Sequence, residues 1–383
     1  MGQQLKCALL GLSFQELTGI IEGFGQPPYR ARQLYQAIYS QRQGTLQAIS
    51  TLPADFRNQL SEEGYSIGLP AIEKKFSSTD GTIRYLMAFA DGQSVETVWM
   101  PEGDGGEAGD GSEADLEITD ELLPSGQATG GWQEGKFHRA TICISSQAGC
   151  AVNCQFCMTA LLGLQRNLAP GEIVGQVLAV LNDRSVNIDR ERINLVFMGQ
   201  GEPFLNYESF MQAVRLLSDP EGIAIPASRM TVSTSGIVPR IYDFGKEQLR
   251  PKLAISLNAS NDDVRSGIMP INKKWGLEKL LTAAREFPLR NRERLTFEYV
   301  LLDGVNDEVQ HASEVVELVR GIRAKVNLIA LNPGPEIDFK TPVEQRVHTF
   351  QKILRDAGIP AYIRRPRGRD IYAACGQLKR TVA

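Results

Sequence analysis

The sequence predicts an α/β fold: a partial (β/α)6 barrel of TIM-like type, open on one side, preceded by a small helical unit. Three observations predict it. Six apolar, β-rich runs recur at residues 140–144, 193–198, 230–232, 253–257, 295–301 and 326–331, with helical patterns between them, and repeated strand–helix units imply a parallel sheet. Nearly every polar or special residue with chemical promise follows the end of one of these runs, and in barrels of parallel strands those ends form the active-site face. The first hundred residues read differently, as helix and then as a hairpin.

Residues 1–70 form the predicted helical accessory unit. Ala31, Leu34, Tyr35, Ile38 and Tyr39 recur at helical spacing, with Pro27 and Pro28 before them and Gly44 after. Pro53 opens a second short helix ending near Gly64. Residues 71–100 read as a β-hairpin linker, with Ile83, Tyr85 and Met87 alternating, Asp91-Gly92 at the turn, and Val95, Thr97 and Trp99 alternating after it. Residues 101–135 are rich in Gly, Asp, Glu and Ser, with too little apolar content to pack, and are expected to be a disordered insertion. Residues 136–383 carry the barrel and a basic C-terminal segment. Within it, Val309, Ala312, Val315, Val316 and Val319 form one helical stripe. Val343, Val347, Phe350, Ile353 and Leu354 form another, for which Thr341, Pro342 and Glu344 predict a capping box.

Composition narrows the class. Hydrophobic residues make up 42% of 383, ordinary for a soluble globular chain. No stretch approaches a membrane span, residues 1–10 lack a signal-peptide layout, and six cysteines do not read as a secreted disulfide framework, so a reducing cytoplasm is expected; the sequence is silent on oligomeric state, and a monomer is the default. The net charge of −4 hides an asymmetry. Ten acids and no Lys or Arg lie between Glu102 and Glu134; without them 41 basic residues face 35 acidic ones. That excess fits a polyanionic partner such as RNA. Its sharpest patch is Arg364, Arg365, Arg367, Arg369, Lys379 and Arg380, opposed only by Asp370; charge alone also allows a solvated tail.

Cys150, Cys154 and Cys157 form C-x-x-x-C-x-x-C after the first barrel strand. Thiolates are soft ligands that select zinc, copper(I) or iron–sulfur clusters. Three of them, not the four that close a structural zinc site or fully ligate a cubane cluster, leave one iron open to a small molecule. Zinc completed by a distant ligand is the alternative, but no second C-x-x-C pair exists and His138, His311 and His348 are not at ligand spacing. Inert packing thiols are the third.

The Cys150–Cys157 segment resembles the signature of the radical S-adenosylmethionine (SAM) superfamily. Together with Gly25–Gln33, Val95-Glu96-Thr97, residues 143–147, Met198-Gly199-Gln200-Gly201-Glu202-Pro203, Ser233-Thr234-Ser235-Gly236, residues 270–274 and residues 367–378, it is similar to the RlmN-type RNA (adenine-carbon-2) methyltransferase family. Carbon 2 of adenine carries no nucleophilic lone pair, so ordinary attack on a SAM methyl fails there. The resemblance implies two stages. Cys375 takes a methyl from one SAM. A second SAM, bound to the open iron of a [4Fe-4S] cluster on Cys150, Cys154 and Cys157, is cleaved by one electron to a radical that activates the S-methyl group. The carbon radical adds to adenine, Glu96 accepts the carbon-2 proton, and Cys143 attacks the thioether to release product as a transient disulfide with Cys375. From pattern alone, Glu96 reads as a solvent-facing strand carboxylate and Cys143 as a core strand residue. Gly201, Glu202, Ser233, Ser256, Leu257, Asn258 and Asn332 would line the SAM site. The family usually has histidine where Asn258 stands; asparagine still donates and accepts hydrogen bonds.

The implied partners are 23S rRNA, a tRNA adenine beside the anticodon, and a one-electron donor such as flavodoxin or ferredoxin, without a membrane. A Cfr-type carbon-8 methyltransferase is the near rival, and a non-catalytic zinc-dependent RNA-binding protein the rival from another class. The acidic insertion falls between Glu96 and Cys143, where it would screen non-specific RNA.

Overall fold

The computed structural model describes residues 7–101 and 139–379. Nearly all of the acidic insertion, His138 and Arg380 lie outside them.

Ten strands form one sheet. Seven run parallel: β6 (Arg139–Cys143), β9 (Arg192–Phe197), β10 (Met230–Thr234), β11 (Lys252–Ser256), β12 (Leu295–Leu301), β13 (Ala324–Ala330) and β14 (Ala361–Ile363). Six are the six predicted runs, shifted by a residue or two. The seventh, β14, has three residues, too short for an alternating pattern to register, and is held as an edge by pairing Val326 with Ala361. Inward residues of β6 and of β9 to β13 line one cavity, so the sheet curls around it, while β14 and β6 do not pair and the barrel stays open.

The hairpin expected as a linker is part of this sheet. β5 (Ser94–Pro101) pairs antiparallel with β6 on one side and with β4 (Ile83–Ala88) on the other, and β4 pairs with β3 (Ala71–Ser77). Val95 and Trp99 join the main core on the outer face, where Thr97 bonds Gln176, so the alternating residues Glu96, Val98 and Met100 face inward. A separate two-stranded hairpin, β7 (Gln147–Gly149) and β8 (Leu164–Asn167), follows β6.

Helices cover the outside: α4 (Pro170–Asp183), α5 (Tyr207–Ser218), α6 (Val238–Lys246), α7 (Asp262–Ile268), α8 (Leu277–Glu286), α9 (Val309–Val319) and α10 (Glu344–Asp356). Helix α10 starts later than predicted. Val343, not Thr341, is its N-cap, no side chain caps it, and the Thr341 hydroxyl instead donates to Leu331 O at 2.8 Å.

The N-terminal unit holds α1 (Phe14–Gly23), α2 (Tyr29–Tyr39) and α3 (Ala54–Glu62), with β1 (Cys7–Ala8) paired to β2 (Tyr65–Ser66). The pattern reading omitted α1, although Ser13 and Glu16 form a capping box that marks its start. This unit shares the barrel's apolar core. Tyr35 donates to Asp219 Oδ2 at 2.6 Å, and Gly11 leaves no room for a Cβ, which would lie 2.4 Å from Gly171 N.

Candidate active site

The cysteine triplet sits in the loop that β7 and β8 bracket. Gly149 has φ +81°, and a Cβ there would lie 1.7 Å from Gly163 O, so only glycine closes the loop base. Cys150 N donates to that same oxygen at 3.0 Å. At the far end Gln155 N donates to Ile268 O at 2.9 Å, and Cys157 N to Cys154 O at 3.1 Å. The three thiols line one cavity of about 1030 Å³ together with Glu202, Ser233, Ser256, Asn258 and Asn332. Burial pushes all three thiols up, most strongly Cys154, whose neighbours Cys157 and Cys150 add to the effect. Thiolates packed this way need a cationic centre to stay ionised. Among the described residues no His, Asp or Glu joins the three thiols as a fourth ligand to a single ion. Three soft thiolates without a fourth protein ligand are the donor set of a cluster with one open iron.

Opposite the triplet, the turn after β9 is folded against β7. Gly201 has φ +96°, and a Cβ there would lie 2.5 Å from Gln147 Cβ; the close approach is to protein backbone as well as to the cavity. Glu202 N donates to Gln147 Oε1 at 2.8 Å. The Glu202 carboxylate accepts from Ser235 N at 2.7 Å and Phe204 N at 3.1 Å. Burial raises this carboxyl, and those amide donors hold it back. Glu202 thus ties the ends of β9 and β10 together with both oxygens engaged.

Ser233 and Ser256 hydroxyls lie 3.5 Å apart on neighbouring strands. Leu257, expected in the cofactor site, is fully buried in the main core and lines neither cavity; its backbone is engaged by Glu298 O and Arg265. Asn258 has φ +56°, which asparagine tolerates, and its side chain accepts from Val300 N at 2.8 Å and reaches Met269 Sδ at 3.3 Å. Asn332 Nδ2 donates to Cys375 O at 3.3 Å.

A second cavity, of about 1460 Å³, adjoins the first and contains Cys143. The two meet at Cys157, Glu298, Asn332 and Cys375. Cys375 is exposed to them, on a segment held by main-chain and amide contacts: Met158 N donates to Gly376 O at 2.7 Å, Thr159 Oγ1 to Leu378 O at 2.7 Å, and Gln377 Nε2 to Pro333 O at 2.7 Å. Cys143 packs beside Ala373, Leu378 and Val98. Burial and the nearby Cys375 push its thiol up. Both cysteines are free.

Glu96 departs from the pattern-based expectation of a solvent-facing carboxylate. It is fully buried on the inner face of β5, ion-paired to Arg84, with Gln200 Nε2 3.3 Å from Oε2. Arg84 stacks on Phe76 at 4.2 Å. Neither cavity is lined by Glu96.

Three features escaped the sequence reading. Arg265 is fully buried and donates to Leu257 O, Ser256 O and Ser235 O, each at 2.9 Å, locking the strand ends that carry the serines. Gln176 of α4 bridges Thr97 on β5 to both backbone groups of Ser145. Glu298 stands on β12 at the junction of the cavities. Gln176 and Arg265 are polar residues at core positions of their helices, and Glu298 is a charged residue within a barrel strand, the signals that could have found them. Of the basic patch, Arg364, Arg365 and Arg367 line the larger cavity, while Asp370 is taken up by Ser78 Oγ at 2.6 Å and Thr79 N at 3.3 Å.

Comparison with known proteins gives the family. The radical SAM superfamily model matches residues 144–316. A probable dual-specificity RNA methyltransferase RlmN of Koribacter versatilis is 65% identical over 361 residues, covering 94% of this chain and 98% of that protein. The dual-specificity RNA methyltransferase RlmN of Syntrophobacter fumaroxidans is 41% identical, covering 95% of each. The crystal structure of a radical SAM methyltransferase from Sphaerobacter thermophilus superposes with a TM-score of 0.84 at 40% identity, covering 97% of this chain and 99% of that one. With relatives this similar matched over nearly their whole length, and a cysteine triplet seated at the mouth of a partial barrel, the chain belongs to the RlmN family of radical SAM RNA methyltransferases.

Proposed function

We propose that this protein methylates carbon 2 of adenine in RNA, in 23S rRNA and in tRNA beside the anticodon, with Cys375 carrying the methyl group. The observation that carries the reading is the meeting of the two cavities at Cys375, one lined by the cysteine triplet and the other by Cys143 and three arginines. A [4Fe-4S] cluster on Cys150, Cys154 and Cys157 would supply one electron, received from a donor such as flavodoxin or ferredoxin, to SAM at its open iron.

The chain's own residues divide the remaining work. Gly201, Ser233, Ser256, Asn258 and Asn332 orient the cofactor. Two SAM molecules serve each turnover, one for the sulfur of Cys375 and one for activating its methyl group. Asn332 holds the Cys375 backbone toward the cofactor cavity. Glu96 accepts the carbon-2 proton; it is ion-paired to Arg84 and lines neither cavity, so that pair must open or share the proton. Cys143, beside the Cys375 segment, attacks the thioether and leaves a Cys143–Cys375 disulfide; for that step the two α-carbons must come within about 7 Å. Arg364, Arg365 and Arg367 meet RNA phosphates at the cavity mouth. In this reading the enzyme works as a cytoplasmic monomer.

The test is to express the protein in cells lacking adenine-2 methylation and to digest their rRNA and tRNA for mass spectrometry. 2-Methyladenosine in both is expected. 8-Methyladenosine, or a protein that binds zinc and contains no iron or sulfide, overturns the proposal.

A further inference from the structure

The junction of the cavities holds one carboxylate without a role in the reaction described above. Glu298 lies on β12 with its side chain toward the barrel interior, and like Cys375 it lines both cavities. Its neighbours are fixed by strand register. Glu298 pairs with Ser256 on β11 and with Asn327 on β13, about 4.8 Å to either side. Its carbonyl accepts from Leu257 N at 2.9 Å and Asn258 N at 3.3 Å, so the residue is anchored at the cofactor end of the barrel. Oε1 accepts from Asn327 Nδ2 at 3.0 Å.

The charged groups facing Glu298 are Arg364 after β14, Lys325 on β13 and Cys375 on the C-terminal segment. Burial raises the Glu298 carboxyl, and Arg364, Asn327 and Lys325 oppose the rise. Although Cys375 opens onto the cavities, desolvation within their walls raises its thiol, the Glu298 charge and Cys157 raise it further, and Arg364 opposes them. The neutral thiol is therefore the resting form, and only the thiolate is a good nucleophile. Of the two acids that line the cavities, Glu202 has both oxygens engaged by backbone amides, so Glu298 is the one placed to take a proton.

Resting on the function proposed above, we propose that Glu298 is the proton acceptor for Cys375 in the first methyl transfer. The S–H proton passes to the Glu298 carboxylate, directly or through one water. The sulfur pair forms the S–CH3 bond, and the methyl–sulfonium bond breaks with its electrons left on S-adenosylhomocysteine. The products are S-methyl-Cys375, a neutral thioether and protonated Glu298. A carboxyl with a raised proton affinity suits such a task.

The experiment uses the full-length protein with its cluster, SAM and no RNA, and follows methylation of the Cys375 peptide by mass spectrometry across pH. Glu298→Gln keeps an acceptor for Asn327 and is expected to slow methylation by about 10²-fold or more at neutral pH. Its rate should climb about tenfold per pH unit as solvent takes over the proton, following thiolate formation. Glu298→Asp should retain the unaltered protein's pH profile at a lower rate. A second readout needs no cofactor: alkylation of Cys375 by iodoacetamide should shift to lower pH in Glu298→Gln, because a neighbouring negative charge is gone. Methylation of Glu298→Gln at the unaltered rate and pH profile, or an unmoved alkylation midpoint, overturns the inference. If the unaltered protein leaves Cys375 unmethylated, the proposed function itself falls, which separates the two failures.

Discussion

Two parts of the site face each other and are built in opposite ways. The cysteine-triplet loop is built into the barrel by main chain. A hairpin clasps its base, Gly149 packs on Gly163 without room for a methyl group, and the Glu202 carboxylate knits the adjoining strand ends through two amides. The Cys375 segment is clipped on. It has one turn of 3-10 helix, left-handed residues at Gly368, Tyr372 and Gly376, a main-chain bond from Met158 N to Gly376 O, and otherwise side-chain contacts from Asp80, Thr159, Asn332 and Gln377. Each clip is worth about 0.5–1.5 kcal/mol. In the proposed function the loop that presents thiolates at fixed spacing is over-determined, whereas the segment proposed to hand a methyl group to RNA is held by bonds that can be released singly.

Substitutions on the two sides should therefore fail differently. The largest effect is expected at the carrier. Cys375→Ala should abolish methyl transfer while iron and sulfide content stay unchanged, and retained turnover would remove Cys375 from that role. Cys143→Ala should leave RNA covalently attached to the protein, seen as a shifted band on a denaturing gel; release of clean product would remove the resolving role.

On the triplet side the failure should be loss of the metal centre. Gly149→Ala places its Cβ 1.7 Å from Gly163 O at φ +81°. Left-handed backbone alone costs roughly 1–2 kcal/mol, and the overlap must also push the loop base apart. Iron bound after anaerobic reconstitution should fall well below that of the unaltered protein, and equal loading would show that the clasp does not hold the thiols. Glu202→Gln is a milder version of the same test. Glutamine can accept from Ser235 N or Phe204 N, but its amide opposes the other, at about 1–3 kcal/mol. Thermal stability should fall while the Cys375 segment keeps its protection from proteolysis.

How legible these two sides were in the sequence follows from the same contrast. The barrel strands announce themselves because strands buried on both faces are long apolar runs, and the triplet because its chemistry depends on local spacing. The hairpin of β4 and β5 was visible as a hairpin, but its place in the barrel sheet depends on β5 pairing with β6 across the acidic insertion, a contact that no local pattern encodes. The burial of Glu96 was misread for that reason: alternation tells which residues share a face, not which face is covered. Here the inner face is covered by Ala373 and Leu378 from the far end of the chain. Gln176 and Arg265 were missed because a buried polar residue inside an apolar stripe looks like an interruption until its partners are known, and Glu298 because which strand positions open onto a cavity depends on how the sheet curls.

The smallest expected effect lies at the clip farthest from the chemistry. Asp80, in the turn between β3 and β4, accepts from Gly368 N at 2.9 Å through Oδ2 and from Thr82 N at 2.9 Å through Oδ1. Burial pushes its carboxyl up, but those amides, with the Thr82 and Ser78 hydroxyls, outweigh it and leave the group below its usual value. A carboxylate depressed on folding stabilises above its unfolded value of about 3.9 and loses that contribution as pH falls through the folded value. Asp80→Asn should therefore loosen residues 368–378 by about 1 kcal/mol at neutral pH, read as faster amide hydrogen exchange there and unchanged exchange around Cys150–Cys157. In acid, below the folded value, the difference should vanish. Loosening that persisted in acid would mean that packing of Ala373 and Leu378 against Val98, and not the Asp80 charge, holds the carrier in place.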